Sequence, residues 1–209
     1  EDKALKVAEF LLQVNAIKLQ PNEPFSWASG IISPIYCDNR ITLSYPNIRT
    51  FIRQAYAETI LEAFGKPDVI AGVATGGIAQ GALVAQELGI PFIYVRSEAK
   101  EHGMGNQVEG FFEEGQKVVL VEDLISTGGS SLKAVDALRK AKLDVKGLVA
   151  IFTYGFNVAE RNFENAACPY VTLTNYDVLL QHAGDSNLIS DDDQASLREW
   201  KVDPQNWKK

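Results

Sequence analysis

The stretch KVVLVEDLISTGGSSLKAV, residues 117 to 135, sets two adjacent carboxylates, Glu122 and Asp123, directly after an apolar run. A loop of small hydroxyl and glycine residues follows, and then a helical pattern. Gly128 and Gly129 let a ligand approach the backbone, and Ser126, Thr127, Ser130 and Ser131 supply hydroxyls. The unmet N–H groups and the dipole of a helix start favour a phosphate there. A nucleotide-triphosphate loop would need GxxxxGK[ST], and a dinucleotide fingerprint would need GxGxxG; this stretch has neither. Two acids repel a phosphate unless they face another part of the same ligand. Sugar hydroxyls, which donate to carboxylates, fit that part. Taken singly, an acid pair after a strand reads as a solvated turn, and a Ser/Thr/Gly loop reads as a helix cap. The combination carries the chemistry.

Two further stretches could handle anions. In GVATGGIAQGALVA, residues 72 to 85, a strand ends at Ala74-Thr75-Gly76-Gly77 and a helix follows, giving a second and weaker anion-binding turn. In YVRSEAKEHGMGNQVEG, residues 94 to 110, Arg96, Lys100 and His102 gather cations in an otherwise acidic chain, and Gly103, Gly105 and Gly110 allow the segment to move. Alone it reads as a solvated surface loop. Beside a phosphate site it reads as a lid that brings positive charge to a departing anion and excludes water.

These groups must be held by a scaffold. Helical and strand patterns alternate along most of the chain. Helices are expected at 4–15 and 45–64, the latter closed by Gly65 and Pro67. A strand at 68–74 is followed by a helix ending at Gly89. Strands at 91–97 and 117–123, a helix at 130–142, a strand at 145–154, a short helix at 160–167 and a strand at 169–176 complete the core. Strands separated by helices predict an α/β fold with a central parallel sheet flanked by helices. Residues 17–44, rich in Pro, Ser, Gly and Asn, read as a cap over the sheet. The expected organisation is one domain, 1–209, with a core at about 45–180 and a hood built mainly from about 1–44 and the C-terminal segment. Trp27, Trp200 and Trp207 read as packing residues, and His182 as a structural histidine.

The 209 residues, 46% hydrophobic and 22% charged, suit one sizeable globular domain. The net charge of −7 argues against non-specific nucleic-acid binding but leaves room for a small anion held by local amides and cations. Cys37 and Cys168 are too few for a disulfide framework or a zinc site, so free thiols in a reducing cytoplasm are expected. No apolar run approaches the roughly 18 residues of a membrane helix, and the amphipathic N-terminal helix does not read as a signal peptide.

VVLVEDLISTGGSS resembles the phosphoribosyl-pyrophosphate (PRPP) motif of the type I phosphoribosyltransferases. The resemblance implies that Glu122 and Asp123 hold the ribose 2′- and 3′-hydroxyls. It implies that Ser126, Thr127, Gly128, Gly129 and Ser130 cradle the 5′-phosphate, with Leu124 and Ile125 between them, and that Thr75 and Gly76 face the pyrophosphate. FSWASGIISPIYCDNR, residues 25 to 40, resembles the base-site segment of the orotate branch of that family, and residues 94 to 110 resemble its mobile catalytic loop. The implied activity is transfer of the phosphoribosyl group from PRPP to orotate, giving orotidine 5′-monophosphate and pyrophosphate in de novo pyrimidine synthesis. Displacement would pass through an oxocarbenium-like transition state with inversion, without a covalent enzyme intermediate. Lys100, Arg96 and His102 are the implied catalytic and PRPP-binding cations, with Lys100 reaching the site of a neighbouring subunit in a homodimer. Mg²⁺ is implied on substrate oxygens and water, with no dedicated protein ligands. For orotate the candidates are Ser126, Arg40 and Tyr36; Arg161 is a further one, within a helical stretch that points to a solvated role. Ala28 and Ser97 stand where some orotate enzymes carry lysines, which marks a different branch. The alternatives are a phosphoribosyltransferase for another nucleobase and a non-enzymatic PRPP-binding regulator of the same fold.

Overall fold

The run KVVLVEDLI is apolar on both faces, the pattern of a strand covered on both sides. In the computed structural model, which describes residues 2–98 and 107–208, it forms the centre of a six-stranded sheet. Along the chain the elements are α1 (Lys3–Gln13), β1 (Ile17–Leu19), β2 (Phe25–Ser26), β3 (Ile32–Ser33), β4 (Ile35–Cys37), a 3₁₀ turn (Asn39–Ser44), α2 (Pro46–Phe64), β5 (Val69–Val73), α3 (Gly76–Leu88), β6 (Phe92–Val95), β7 (Val108–Glu109), β8 (Lys117–Ile125), α4 (Gly129–Lys140), β9 (Asp144–Thr153), α5 (Asn157–Asn165), β10 (Tyr170–Asn175), α6 (Tyr176–Asp185) and α7 (Asp191–Val202). Strand order is β10-β9-β8-β5-β6-β7, parallel except for the short antiparallel edge strand β7.

The period-2 alternation of β8 splits the interior into two cores. Val119 and Val121 join Ile70, Val149 and Ile151 on the face covered by α1, α2, α3 and α6. Val118 and Leu120 join Val69, Ala71, Leu148 and Ala150 on the face covered by α4 and α5. The expected α/β architecture with a central parallel sheet is therefore present.

After β5 the chain winds outward to β6, and from β8 it winds the other way to β9 and β10. The order reverses between β5 and β8, the place where open parallel sheets leave a crevice beyond their carboxyl ends. β8 deepens that crevice by outrunning β5: their pairing ends at Gly72 opposite Val121, whereas β8 stays paired with β9 as far as Ile125 opposite Thr153. Leu124 and Ile125 are thus strand residues, and the strand expected at 117–123 is two residues longer.

The hood is more ordered than a featureless cap. β1 pairs with β4 and β2 with β3, both antiparallel, and the 3₁₀ turn carries Asp38 as its cap. α6 is an element that the sequence patterns did not reveal; Asn175 caps it, its side chain accepting from the Val178 N–H. α7 begins with a capping box between Ser190 and Asp193. Among the described residues, no helix is long and apolar enough to cross a membrane.

Candidate active site

Two helices begin at the crevice, and neither has a side-chain cap. α3 starts after Thr75, and α4 starts after Gly128, whose φ of 83° puts it in the left-handed region. Both starts line one cavity of about 300 Å³, together with Glu122 and Asp123 between them. The first-turn N–H groups of two helices therefore converge on one space, with their partial positive charge aimed into it. Of the residues expected to bind PRPP, this cavity brings together Thr75, Gly76, Glu122, Asp123, Leu124, Ser126, Thr127, Gly128, Gly129 and Ser130. Ile125 is fully buried beneath it. Lys100 and His102, like Gly103 and Gly105, lie outside the described residues.

The two acids differ in environment. Glu122 is only 5% exposed; one carboxylate oxygen accepts the Asp123 N–H at 2.9 Å and the other accepts the Ser131 hydroxyl at 3.0 Å. Burial, followed by the neighbouring Asp123, pushes the Glu122 carboxyl well above the usual carboxylate range. Ser131, read from sequence as one more hydroxyl of the loop, is itself buried and directed to Glu122. Asp123 is half-buried, and its carboxylate lies against Gly76: a Cβ there would sit 2.4 Å from Oδ2 and 2.5 Å from Oδ1. Gly77 leaves room in the same way, since its Cβ would fall 2.2 Å from the Val121 carbonyl oxygen. Glycines at both positions let the start of α3 close against the end of β8.

Side chains from outside the sheet hold the end of β8. The buried Tyr56 hydroxyl, on α2, donates to the Glu122 carbonyl, and the buried Asn39 amide, in the hood, donates to the Asp123 carbonyl at 2.8 Å. Thr42 donates to the Asn39 carbonyl at 2.6 Å, fixing the turn that carries Asn39. Sequence reasoning missed Asn39 and Tyr56. Asn39 stood within the hood segment, but nothing local marks an asparagine whose partner is 84 residues away. The loop after β8 is tied from its other side by Asn162, whose amide donates to the Thr127 carbonyl at 2.9 Å.

A second cavity, of about 650 Å³, adjoins the first and shares Ser126 and Thr127 with it. Its walls are Trp27 and Ile31 of the hood, Gly155 and Phe156 between β9 and α5, Asn157 and Val158 at the start of α5, Asp177 of α6, Arg198, Lys201 and Val202 of α7, and the residues after α7. Among the three candidates for the base, only Ser126 lines it. Arg40 is paired elsewhere: its guanidinium holds Asp38 at 2.8 Å, the side chain is 61% exposed, and the Asp123 carboxylate acts on it only as a lesser charge. Tyr36 is exposed and packs against Phe25, with ring centroids 5.6 Å apart. The alternation of β4 explains this, since Ile35 points into the core and Tyr36 away from it. Neither Arg40 nor Tyr36 lines either cavity. Arg161 lies on α5 and also lines neither.

Arg96 lies just past β6. Its N–H donates to the Gln107 carbonyl at 2.9 Å, and its guanidinium stands 3.9 Å from Glu109. β6 and β7 thus form the stem of the segment that carries Lys100 and His102. Burial, and then the nearby Asp123 and Asp38 carboxylates, raise the Cys37 thiol well above its ordinary value, so it stays protonated at neutral pH.

Comparison with known proteins agrees with this geometry. The phosphoribosyl transferase domain family matches residues 41–182. An orotate phosphoribosyltransferase of Listeria monocytogenes is 55% identical over 204 residues, 98% of both chains. That of Bacteroides thetaiotaomicron is 58% identical over 200 residues, 96% of this chain and 94% of its own. The chain belongs to the orotate phosphoribosyltransferase family. The crystal structure of the orotate phosphoribosyltransferase from Aeropyrum pernix superposes with a TM-score of 0.77 at 27% identity, covering 88% of this chain and 99% of that one. The family match spans residues 41–182, so α7 and the hood residues Trp27 and Ile31, which contribute walls of the second cavity, lie outside it.

Proposed function

We propose that the protein transfers the phosphoribosyl group of PRPP to orotate, forming orotidine 5′-monophosphate and pyrophosphate, a step of de novo pyrimidine synthesis. One observation carries the reading: two uncapped helix starts face a single cavity with two carboxylates between them. One start, at Gly128–Ser130, receives the 5′-phosphate, and the other, at Thr75–Gly76, receives the pyrophosphate. Glu122 and Asp123 accept the ribose hydroxyls that lie between. They also supply negative charge beside a sugar that turns cationic as its anomeric bond breaks. The base enters the second cavity, which reaches the ribose past Ser126. The amides and hydroxyls that hold PRPP are fixed before it binds, so most of the barrier reduction comes from orientation and preorganised charge.

Mg²⁺ fits the residues present. Among the described residues no group of three or more His, Cys, Asp or Glu could cage a metal. A pair of acidic residues at an anion site is nonetheless the kind of donor set that meets a substrate-bound Mg²⁺ and its waters. Substrate oxygens and water would hold the ion, and Asp123, the more exposed of the two acids, would meet its waters. The charge it supplies would offset that of the diphosphate. Lys100 and His102 are proposed to close over that diphosphate with Arg96. A homodimer in which Lys100 serves the neighbouring site is proposed as well, and size-exclusion chromatography with light scattering checks it. The free thiols Cys37 and Cys168 suit a reducing compartment.

The deciding assay supplies PRPP, Mg²⁺ and a panel of bases and follows nucleotide and pyrophosphate. Orotidine 5′-monophosphate is the expected product. Nucleotide formed from hypoxanthine or adenine but not from orotate would overturn the reading, as would PRPP binding without turnover of any base.

A further inference from the structure

The second cavity contains a cation that no part of the PRPP site uses. Lys201, on α7, lines it with a side chain only 23% exposed. Its ammonium is fixed from several sides. It donates to Asp177 at 2.7 Å and stands 5.9 Å from the centre of the Tyr176 ring. It also lies 3.3 Å from where a Cβ would be on Gly155, a residue with φ of +70°, so glycine there leaves the ammonium its room. One of the three ammonium N–H bonds goes to Asp177.

The same cavity contains the start of α5. Its first residues, Asn157 and Val158, line the wall, and Phe156 before them provides no side-chain cap. Amide N–H groups of a helix start and a positioned ammonium therefore face one space. Both favour a carboxylate. The acidic groups of the cavity are already occupied: Asp177 by Lys201, and Asp203 by the Asn206 amide at 2.8 Å. Trp27 and Phe156 offer flat apolar surface for a planar ring. Arg198 is the other cation there, exposed and hence more screened by solvent.

We propose that Lys201, with the first amides of α5, receives the carboxylate of the pyrimidine and makes the protein select a carboxylated base over one without that group. The proposal rests on the orotate reading above and replaces Arg40 in this role. Asp177 acts as the positioning residue that keeps the ammonium in place.

Steady-state kinetics of the full chain test it, with orotate and PRPP varied in turn and uracil added as a competing ligand. Lys201→Gln is expected to raise the KM for orotate about tenfold or more, the scale for removing one partner of a desolvated charge contact, and to leave the KM for PRPP within about twofold. The same variant should lose most of the preference for orotate over uracil seen in competition. Lys201→Arg should recover part of the loss, and Arg198→Gln should raise the orotate KM less than Lys201→Gln does. An unchanged orotate KM in Lys201→Gln, an equal rise for both substrates, or a larger effect of Arg198→Gln would overturn the proposal while leaving orotate transfer intact. Failure of the wild-type protein to use orotate at all would remove the functional reading and this inference together.

Discussion

Glu122 keeps a carboxyl group at 5% exposure with two hydrogen bonds, fewer than an ionised carboxylate can accept. Its pKa is raised in the fold, first by burial and then by Asp123. The native state therefore binds a proton there more tightly than the unfolded chain does. The stabilising contribution is complete below the ordinary carboxylate pKa and is lost as pH rises through the raised one. Glu122→Gln, which stays neutral, should match the wild type in stability near about pH 4.5 and exceed it increasingly toward about pH 7.5. Urea unfolding across that range checks the sign; a constant offset would show that Glu122 does not titrate with folding. Ribose hydroxyls bound at Glu122 would donate to its ionised form and so draw its pKa back down. Gly76 belongs to this scale as well. Its Cβ would overlap the Asp123 carboxylate, so Gly76→Ala should cost about 1–3 kcal/mol, the usual range for overpacking. PRPP affinity should fall too, because Asp123 must move. Calorimetric PRPP binding unchanged from wild type would contradict that placement.

At the level of elements, the end of β8 projects past β5; it keeps β9 as a neighbour on one side, and side chains add to its hold where β5 has ended. Tyr56 on α2 and Asn39 in the hood bind the carbonyls of the two acids. Tyr56 is fully buried, and its burial, followed by the charges of Asp123 and Glu122, holds its hydroxyl protonated as a donor. Tyr56→Phe removes the donor and leaves a buried carbonyl short of a partner, at an expected loss of about 1–3 kcal/mol. If the bond also aims the acids, the KM for PRPP should rise while the KM for orotate changes little. A stability loss with both constants unchanged would reduce Tyr56 to a packing role.

Across the whole molecule, the two ends of the chain meet over the sheet. Trp200 of α7 is fully buried. Its indole N–H donates to the Ile32 carbonyl in the hood at 3.2 Å, and its ring packs edge-on or tilted against Trp27, Tyr154, Phe156 and Tyr176. Asn22 of the hood donates to Asp193 of α7 at 3.0 Å. Two members of this cluster, Trp27 and Phe156, line the second cavity, so the packing that stabilises the fold also supports the cavity proposed for the base. Trp200→Ala should destabilise by about 3–5 kcal/mol, as large aromatic deletions in cores do. In protein that remains folded at low temperature, the orotate KM should rise more than the PRPP KM. An equal effect on both would mean that the cluster supports the whole crevice and not the base side alone.

The phosphate loop, the two acids and the alternating strands and helices were legible because each is a local signal. Apolar periodicity reports burial, and a Ser/Thr/Gly loop after a strand reports a helix start open to an anion. The residues expected to bind PRPP stand close together on two such turns, so reading the turns gave most of the lining of the first cavity. The base side was not legible in this way. Arg40 and Tyr36 were plausible from the hood segment, but the pairing of β4 with β1 turns Tyr36 outward, and Asp38 claims Arg40. Lys201 sits in a charged helix whose sequence looks solvated, and only packing against Gly155, Tyr176 and Asp177 brings it to the cavity. Tyr56 and Asn39 meet β8 across 66 and 84 residues. Sequence alone determines what is written within a turn or a strand period; contacts between distant segments depend on how the sheet twists and where its order reverses, and only the tertiary structure decides them.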